Sequence, residues 1–313
     1  MKKIKRYQVN QSPLYKLSSQ RKLATILGVS LGTMRGVIKR GEKNYKFGVT
    51  ESKRDIQIPK SQLYRIHSRI NTLLSRVAPP DYLMSGVKGR SHVKNAKAHM
   101  GNVAVAKIDI KKFYPSTTKE ILVRGFRKKL VCSKDVAESL AEICTVNGYV
   151  PTGSPLSQSV CFFVNSSMFD HLNFYAKSRG LTFTLYVDDL TFSGKVIPKN
   201  LLDYVRNYIF NMAGYRCHKC KKYGSSTDKV VTGVVVKAGG VDILRTQKSI
   251  IKKLYDKKGY YSSIALPDDE KTIFYFQRYI GHLYSAGEIS PRYRLFGKRV
   301  VDERRLLGIK GKS

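Results

Sequence analysis

Two short β-like runs, Phe183 to Tyr186 and Leu190 to Ser193, stand on either side of Val187-Asp188-Asp189. Apolar runs this short and this close pair as a hairpin, which sets two adjacent carboxylates at the tip of an otherwise apolar ladder. A second carboxylate lies upstream: Val103 to Asp109 is rich in small and β-branched residues and reads as a strand that delivers Asp109 to its end. Carboxylates held together repel, and burying them is costly unless a cation offsets their charge. Three aspartates in two strand contexts therefore point to a divalent metal, and hard oxygen donors favour Mg2+ or Mn2+. Asp188-Asp189 alone would equally suit a polar hairpin turn; the partner strand ending in Asp109 is what makes a site of it.

Carboxylates are scarce in this chain. Its 58 Lys and Arg against 22 Asp and Glu leave a net charge of +36 over 313 residues. Such an excess argues against a metabolic enzyme of ordinary charge and for a polyanionic partner, and the 20 Tyr and 13 Phe offer faces for unpaired bases, so nucleic acid leads the ligand classes. With 42% hydrophobic residues the chain can bury a sizeable core, as one large domain or a few lobes. No apolar run approaches the roughly 18 residues of a spanning helix, and Met1 to Arg6 lack the hydrophobic stretch of a secretory signal. Five cysteines fit a reducing compartment better than a disulfide framework, so a soluble, cytoplasmic protein is expected. Cys217 and Cys220 form one C-x-x-C with only His218 nearby, short of the four ligands of a zinc site.

Leu23, Ile26, Leu27, Leu31, Met34, Val37 and Ile38 recur at helical spacing around a Gly28-Val29-Ser30 break, which predicts two short helices, a packed hairpin that a DNA-reading helix-turn-helix would also resemble. A loop is expected from Gly41 to Lys53, a helix from Ser61 to Val77 stopped by Pro79-Pro80, and a polar basic stretch from Ser85 to Gly101. Beyond the Asp109 strand the pattern predicts one helical stretch from Lys119 to Cys144 and a turn from Gly148 to Pro155. A long helix from Leu156, the aspartate hairpin, a helix from Leu201 to Met212 and a strand pair at Val230 to Val236 and Gly240 to Leu244 follow. The last 70 or so residues, basic and tyrosine-rich, read as helices, which makes the whole an α+β chain.

Tyr186-Val187-Asp188-Asp189 downstream of Asp109-Ile110-Lys111-Lys112-Phe113-Tyr114 closely resembles the reverse transcriptases. The resemblance implies a right-hand polymerase fold of fingers, palm and thumb with an antiparallel palm sheet. It implies a 1–48 N-terminal helical extension, 49–102 as fingers, 103–240 as palm (118–150 supplying helices to fingers and palm) and 241–313 as thumb. It places two metal ions on Asp109, Ile110, Asp188 and Asp189, with Asp109, Asp188 and Asp189 as the catalytic carboxylates. Arg54, in Arg54-Asp55-Ile56-Gln57-Ile58-Pro59, resembles the fingers arginine that meets the incoming triphosphate, a task suited to its planar fork of donors. Tyr114 matches the aromatic gate that excludes a ribose 2′-OH, and Thr152 and Gly153 in Val150-Pro151-Thr152-Gly153-Ser154-Pro155-Leu156-Ser157 match the loop packed against the dNTP. Many relatives carry Gln where this chain has Thr152; Lys221 or its neighbour Lys222 takes the place of a basic residue near the pyrophosphate.

Asn95-Ala96-Lys97-Ala98-His99 and Val231-Thr232-Gly233 resemble the two motifs that mark bacterial retron reverse transcriptases, so Asn95, His99, Val231, Thr232 and Gly233 are expected to serve RNA recognition. That resemblance implies a cognate structured non-coding RNA, priming from a guanosine 2′-OH, a branched RNA–DNA product (msDNA) and anti-phage defence alongside a separate effector protein. The 69 residues after Leu244 are too few for a ribonuclease H domain of usual size, which leaves template removal to a host ribonuclease H. Two other readings stand beside it: a group II intron-like or diversity-generating reverse transcriptase, and a non-catalytic RNA-binding protein.

Overall fold

Ser19 and Ser30 accept hydrogen bonds from the Lys22 and Thr33 N–H groups, and these two N-caps, with Gly28 in the left-handed region at φ 74, cut the first apolar stretch into α1 (Gln20–Leu27) and α2 (Leu31–Arg40). The computed structural model describes residues 5–51, 53–101, 103–264 and 268–310. The expected 41–53 loop holds a strand instead: Tyr45, Phe47 and Val49 alternate with Lys46 and Gly48, so β1 (Tyr45–Val49) pairs antiparallel with β2 (Asp55–Pro59). Next come α3 (Ser61–Ser75), the short α4 (His92–Lys97), β3 (Ala104–Ile110) and one turn of helix, α5 (Phe113–Ser116). The helical stretch expected from Lys119 to Cys144 is two helices, α6 (Lys119–Leu130) and α7 (Lys134–Cys144), because Val131 turns left-handed at φ 52 and ends the first.

Downstream lie α8 (Ser157–Lys177), the β4 (Thr182–Tyr186) and β5 (Asp189–Gly194) hairpin, α9 (Leu201–Ala213) and β6 (Cys217–Tyr223). The expected later strand pair is three strands, β7 (Lys229–Val231), β8 (Val234–Lys237) and β9 (Gly240–Ile243), since Thr232-Gly233 is itself a turn. Four helices close the chain: α10 (Arg245–Asp256), α11 (Lys258–Ser263), α12 (Glu270–Gly287) and α13 (Pro291–Leu306). The α+β class expected from the sequence is the class observed.

The chain forms two compact units, Met1–Arg90 with Ala106–Lys222, and Ser91–Val105 with Tyr223–Ser313. In the first, the sheet runs β4-β5-β3-β6. Its core joins Ile108, Ile110, Leu185 and Phe192 of the strands to Val160, Phe169 and Leu172 of α8 and Val205 and Ile209 of α9. Alternation along β3 buries Ala106, Ile108 and Ile110 and leaves Lys107 and Asp109 half-buried on the other face. Leu23, Leu27, Met34 and Val37 of α1 and α2 enter the same core, so this hairpin is packed on its apolar side. In the second unit, Val93, Ala96 and Val105 pack with Val231, Val234 and Val236 and with Tyr275, Phe276, Tyr279 and Leu283 of α12. The expected 241–313 thumb lies inside this unit, together with the β7–β9 sheet and the Asn95 segment.

His67 shows how the helices of the first unit are tied. It is fully buried on α3, with Nε2 donating to the Ile143 carbonyl at 2.7 Å and Nδ1 2.6 Å from the Ser154 hydroxyl. Burial pushes its pKa down to about 4, so the folded protein keeps it neutral. In the unfolded chain the ring protonates near its ordinary value of 6.5, so its stabilisation is complete above that pH and lost as pH falls towards 4. Relative to His67→Asn, the wild type should lose up to about 3 kcal/mol across that window. Urea unfolding of both proteins from pH 7 to pH 4 reads this directly; parallel curves would rule out a neutral buried ring.

Candidate active site

The β4–β5 ladder ends at the Tyr186–Asp189 pair, leaving Val187 and Asp188 as a two-residue turn. Val187 is β-branched yet sits at φ 59, a conformation that costs about 1–3 kcal/mol and persists only where its surroundings hold it. They do hold it: the Ile110 N–H donates to the Asp188 carbonyl at 2.9 Å, which joins the end of β3 to the turn, and the Val187 N–H donates to the Ser85 hydroxyl at 2.8 Å. The two carboxylates Asp109 and Asp188 are thereby brought together from different strands. Burial first, and then the Asp109 carboxylate, push the Asp188 carboxyl up to about 6. The Lys219 ammonium on β6 pulls the other way. Asp189 turns aside and pairs with Lys107 Nζ at 2.8 Å, and His218 Nε2 hydrogen-bonds Asp109 Oδ1.

Among the described residues no three His, Cys, Asp or Glu side chains close into a ligand shell. The donor set nevertheless fits Mg2+, which keeps most of its water and binds through one or two carboxylates plus substrate phosphates. Two half-buried carboxylates whose repulsion raises a pKa are the charge distribution that a divalent ion relieves. Ile110 can contribute only its backbone carbonyl, because its side chain is a hydrocarbon without donor atoms, buried in the core.

Tyr114 begins just past β3, where Lys112 at φ 50 turns the chain into α5. Its ring is half-buried beside Phe113, and its hydroxyl is held above the ordinary value by burial, then by Cys161 and by Asp188, which puts the ring within electrostatic reach of the Val187-Asp188 turn. The loop before α8 is fixed to β2: the Thr152 N–H donates to Gln57 Oε1 at 3.0 Å, and a Cβ on Gly153 would stand 2.9 Å from the Gln57 carbonyl oxygen. The close approach that requires glycine here is to this strand backbone. Arg54 is exposed in the loop that joins β1 to β2, where its N–H donates to the Thr50 hydroxyl. Lys221 is exposed on β6, while Lys222 donates to the Lys199 carbonyl at 2.7 Å.

The remaining expected residues lie in the second unit. Asn95 and His99 are fully buried, and the Asn95 amide donates to the Thr232 hydroxyl at 3.3 Å while that hydroxyl donates to the His92 carbonyl at 2.9 Å. Thr232 and Gly233 have φ 45 and 77, both positive as a two-residue turn between β7 and β8 demands. Val231 is buried beneath them. The two motifs thus clasp one another, with Asn95 and His99 facing protein. Sequence reading missed Ser85, Lys107, His218 and Lys219; only His218 carried a signal, as an uncommon histidine between lysines and cysteines on an unrecognised strand.

A carboxylate pair carried by one strand and an adjoining hairpin of a small sheet, with helices packed behind, defines a palm polymerase of the reverse-transcriptase class. Within that class the chain is homologous to the retron reverse transcriptases. It is 28% identical to the retron Se72 reverse transcriptase of Salmonella heidelberg (strain 579083-10) over 275 residues, covering 80% of this chain and 70% of that one. It is 26% identical to the retron Ec86 reverse transcriptase of Escherichia coli over 240 residues, 72% of this chain and 74% of the relative. Among solved structures, the foamy viral protease-reverse transcriptase in complex with double-stranded DNA aligns with 86% of this chain and 40% of its own, at 14% identity and a TM-score of 0.46. No family model matches the chain.

Proposed function

We propose that the chain is the RNA-directed DNA polymerase of a retron: it copies part of a cognate structured non-coding RNA into single-stranded DNA, primed from a guanosine 2′-OH, and leaves a branched RNA–DNA molecule. The observation that carries the reading is the Asp109–Asp188 pair, with the second carboxyl pushed up to about 6, in a chain homologous to retron enzymes. Asp109 and Asp188 would hold two Mg2+ ions (Mn2+ substituting), with the Ile110 backbone and Asp189 in support. Bound there, the ions would activate the priming hydroxyl and neutralise the departing pyrophosphate. Arg54 and Lys221 meet the triphosphate, Thr152 and Gly153 shape the nucleotide-side loop, and Tyr114 bars the ribose 2′-OH.

The division into fingers (49–102), palm (103–240) and thumb (241–313) belongs to the same proposal, as do a cytoplasmic location, an anti-phage role with a separate effector protein, and template removal by a host ribonuclease H. The burial of Asn95 and His99 supports a particular form of RNA recognition, in which the clasp shapes a surface and exposed neighbours such as Lys94 and Lys97 make the contacts. The test is to purify the protein expressed with its native flanking DNA, beside Asp188→Asn, and treat the co-purifying nucleic acid with DNase, RNase and debranching enzyme. A short DNA joined to RNA in the wild type alone is the expected result. DNA without a 2′–5′ branch would favour a group II intron-like or diversity-generating enzyme; RNA alone in both would favour a binding protein.

A further inference from the structure

Two backbone groups of the catalytic turn are met from outside its own hairpin. Tyr186 and Asp189 form the last pair of the β4–β5 ladder, so the Val187 N–H and the Asp188 carbonyl fall outside it. The carbonyl is met by Ile110 of β3. The N–H is met from a segment with no place in the sheet order: Tyr82 to Ser85 runs beside β4, its Tyr82 carbonyl accepting the Leu185 N–H at 2.8 Å and its Met84 N–H donating to the Leu185 carbonyl at 2.8 Å. That short ladder carries Ser85 to the tip of the hairpin, where its hydroxyl accepts the Val187 N–H at 2.8 Å. Ser85 is 4% exposed, and Gly86 at φ 65 turns the chain away immediately afterwards.

We propose that Ser85 is a positioning residue for Asp188, holding the catalytic turn in the conformation that points the Asp188 carboxylate towards Asp109. This rests on the reading of Asp109 and Asp188 as the metal-holding pair. Val187 adopts φ 59 against its own steric preference, so the turn relaxes unless an outside group fixes it. Rotation at Val187 swings the next side chain, which is Asp188. A cavity of about 290 Å3 opens beside Ser85, walled by Gly86, Leu83, Gln158 and Phe162, so removing the hydroxyl enlarges a space already present. Among the described residues β4 is the edge of its sheet, and beyond the Tyr82 to Ser85 segment no further strand lies on that side to take over the Val187 N–H. With its hydroxyl on the Val187 N–H and 4% of its surface exposed, Ser85 acts through the turn.

The experiment compares Ser85→Ala and Ser85→Thr with the wild type, using Asp188→Asn as reference. Three quantities are read: single-nucleotide extension on an RNA template, melting temperature, and Mn2+ binding to the resting full-length protein by electron paramagnetic resonance. Loss of the hydroxyl in Ser85→Ala should lower kcat by about 10- to 100-fold, the scale expected for a misplaced reacting group, with KM for dNTP changed less than about twofold. Mn2+ affinity should fall about fivefold or more, with the melting temperature near wild type, and Ser85→Thr, which keeps the hydroxyl, should restore both. If Ser85→Ala instead melts early, Ser85→Thr against Ser85→Val makes the same comparison. Wild-type kcat in the hydroxyl-free variant, a loss of kcat at unchanged Mn2+ affinity, or a folded Ser85→Thr as impaired as Ser85→Ala would each overturn the proposal. Retained synthesis in Asp188→Asn would sink the underlying reading instead, and the two failures are separable.

Discussion

Asp188→Asn should cut DNA synthesis by about a hundredfold to a thousandfold in kcat, without destabilising the protein or weakening its hold on RNA. The first half follows from electrostatics, since removing one preorganised charge contact at a transition state costs about 3–4 kcal/mol and each 1.4 kcal/mol is a factor of ten. The second half follows from the environment of the residue. Asp188 is half-buried beside Asp109, and both burial and that carboxylate disfavour its charged form, so the neutral amide relieves repulsion in the metal-free protein. The variant should therefore melt at or slightly above the wild type. Millimolar Mg2+ should raise the wild-type melting temperature and leave the variant nearly unmoved, because only a ligand that binds the folded state stabilises it. Calorimetry with and without Mg2+, alongside primer extension, reads all of these. Synthesis within tenfold of wild type would remove Asp188 from the catalytic pair.

Binding of a structured RNA should be steeply salt-dependent, and the second unit should carry much of the slope. In the second unit Lys252, Lys253, Lys257, Arg278, Arg292, Arg294, Lys298 and Arg299 are exposed, while Lys258 is drawn into an ion pair with Glu303 at 2.8 Å. Each phosphate neutralised adds roughly 0.7–0.9 to the slope of log affinity against log salt. Six such contacts give a slope near −5 and a loss of about a thousandfold between about 50 and 200 mM salt. Reversing Lys252, Lys253 and Lys257 together should flatten the slope by about 2 to 3 and weaken binding to all RNAs alike. Tyr255 and Tyr260, exposed by 53% and 63%, are the aromatic faces beside these cations, whereas Tyr275 and Tyr279 are core. Filter binding across a salt series tests the slope; an affinity indifferent to salt would exclude phosphate contacts as the main attraction.

The residues that were legible in the sequence are those whose chemistry conflicts with their surroundings. Asp109 and Asp188 stood out as carboxylates in a basic chain with apolar flanks, and α1, α2, α3 and α8 as unbroken helical periodicities. What was not legible depends on partners distant in the chain. β6 reads Cys-His-Lys-Cys-Lys-Lys-Tyr, with no apolar alternation, because four of its seven residues face solvent; it is a strand only because β3 offers an edge. Helix α4 is six residues long, too short for a period, and its place is set by Val93 and Ala96 meeting β8. Ser85 is one serine among many until the Val187 N–H is seen to need it. The glycine of the Thr152-Gly153 pair was foreseen as a point of close approach, but its neighbour, the Gln57 backbone, lies 96 residues upstream.

The second unit is assembled from two pieces of chain, Ser91–Val105 and Tyr223–Ser313, with the Ala106–Lys222 part of the first unit synthesised between them. During translation, Val93, Ala96 and Val105 leave the ribosome well before the valines of β7 and β8 and the aromatic side of α12 that will cover them. At about 5–20 residues per second the wait is of the order of ten seconds. For that interval a short apolar segment and the Asn95 motif stay uncovered while the carboxylate-bearing unit can already begin to collapse. The nascent chain thus completes the Val187-Asp188 turn before the Asn95–Thr232 clasp, and a chain ended at Lys222 would hold the residues of the first unit without those that cover Val93, Ala96 and Val105.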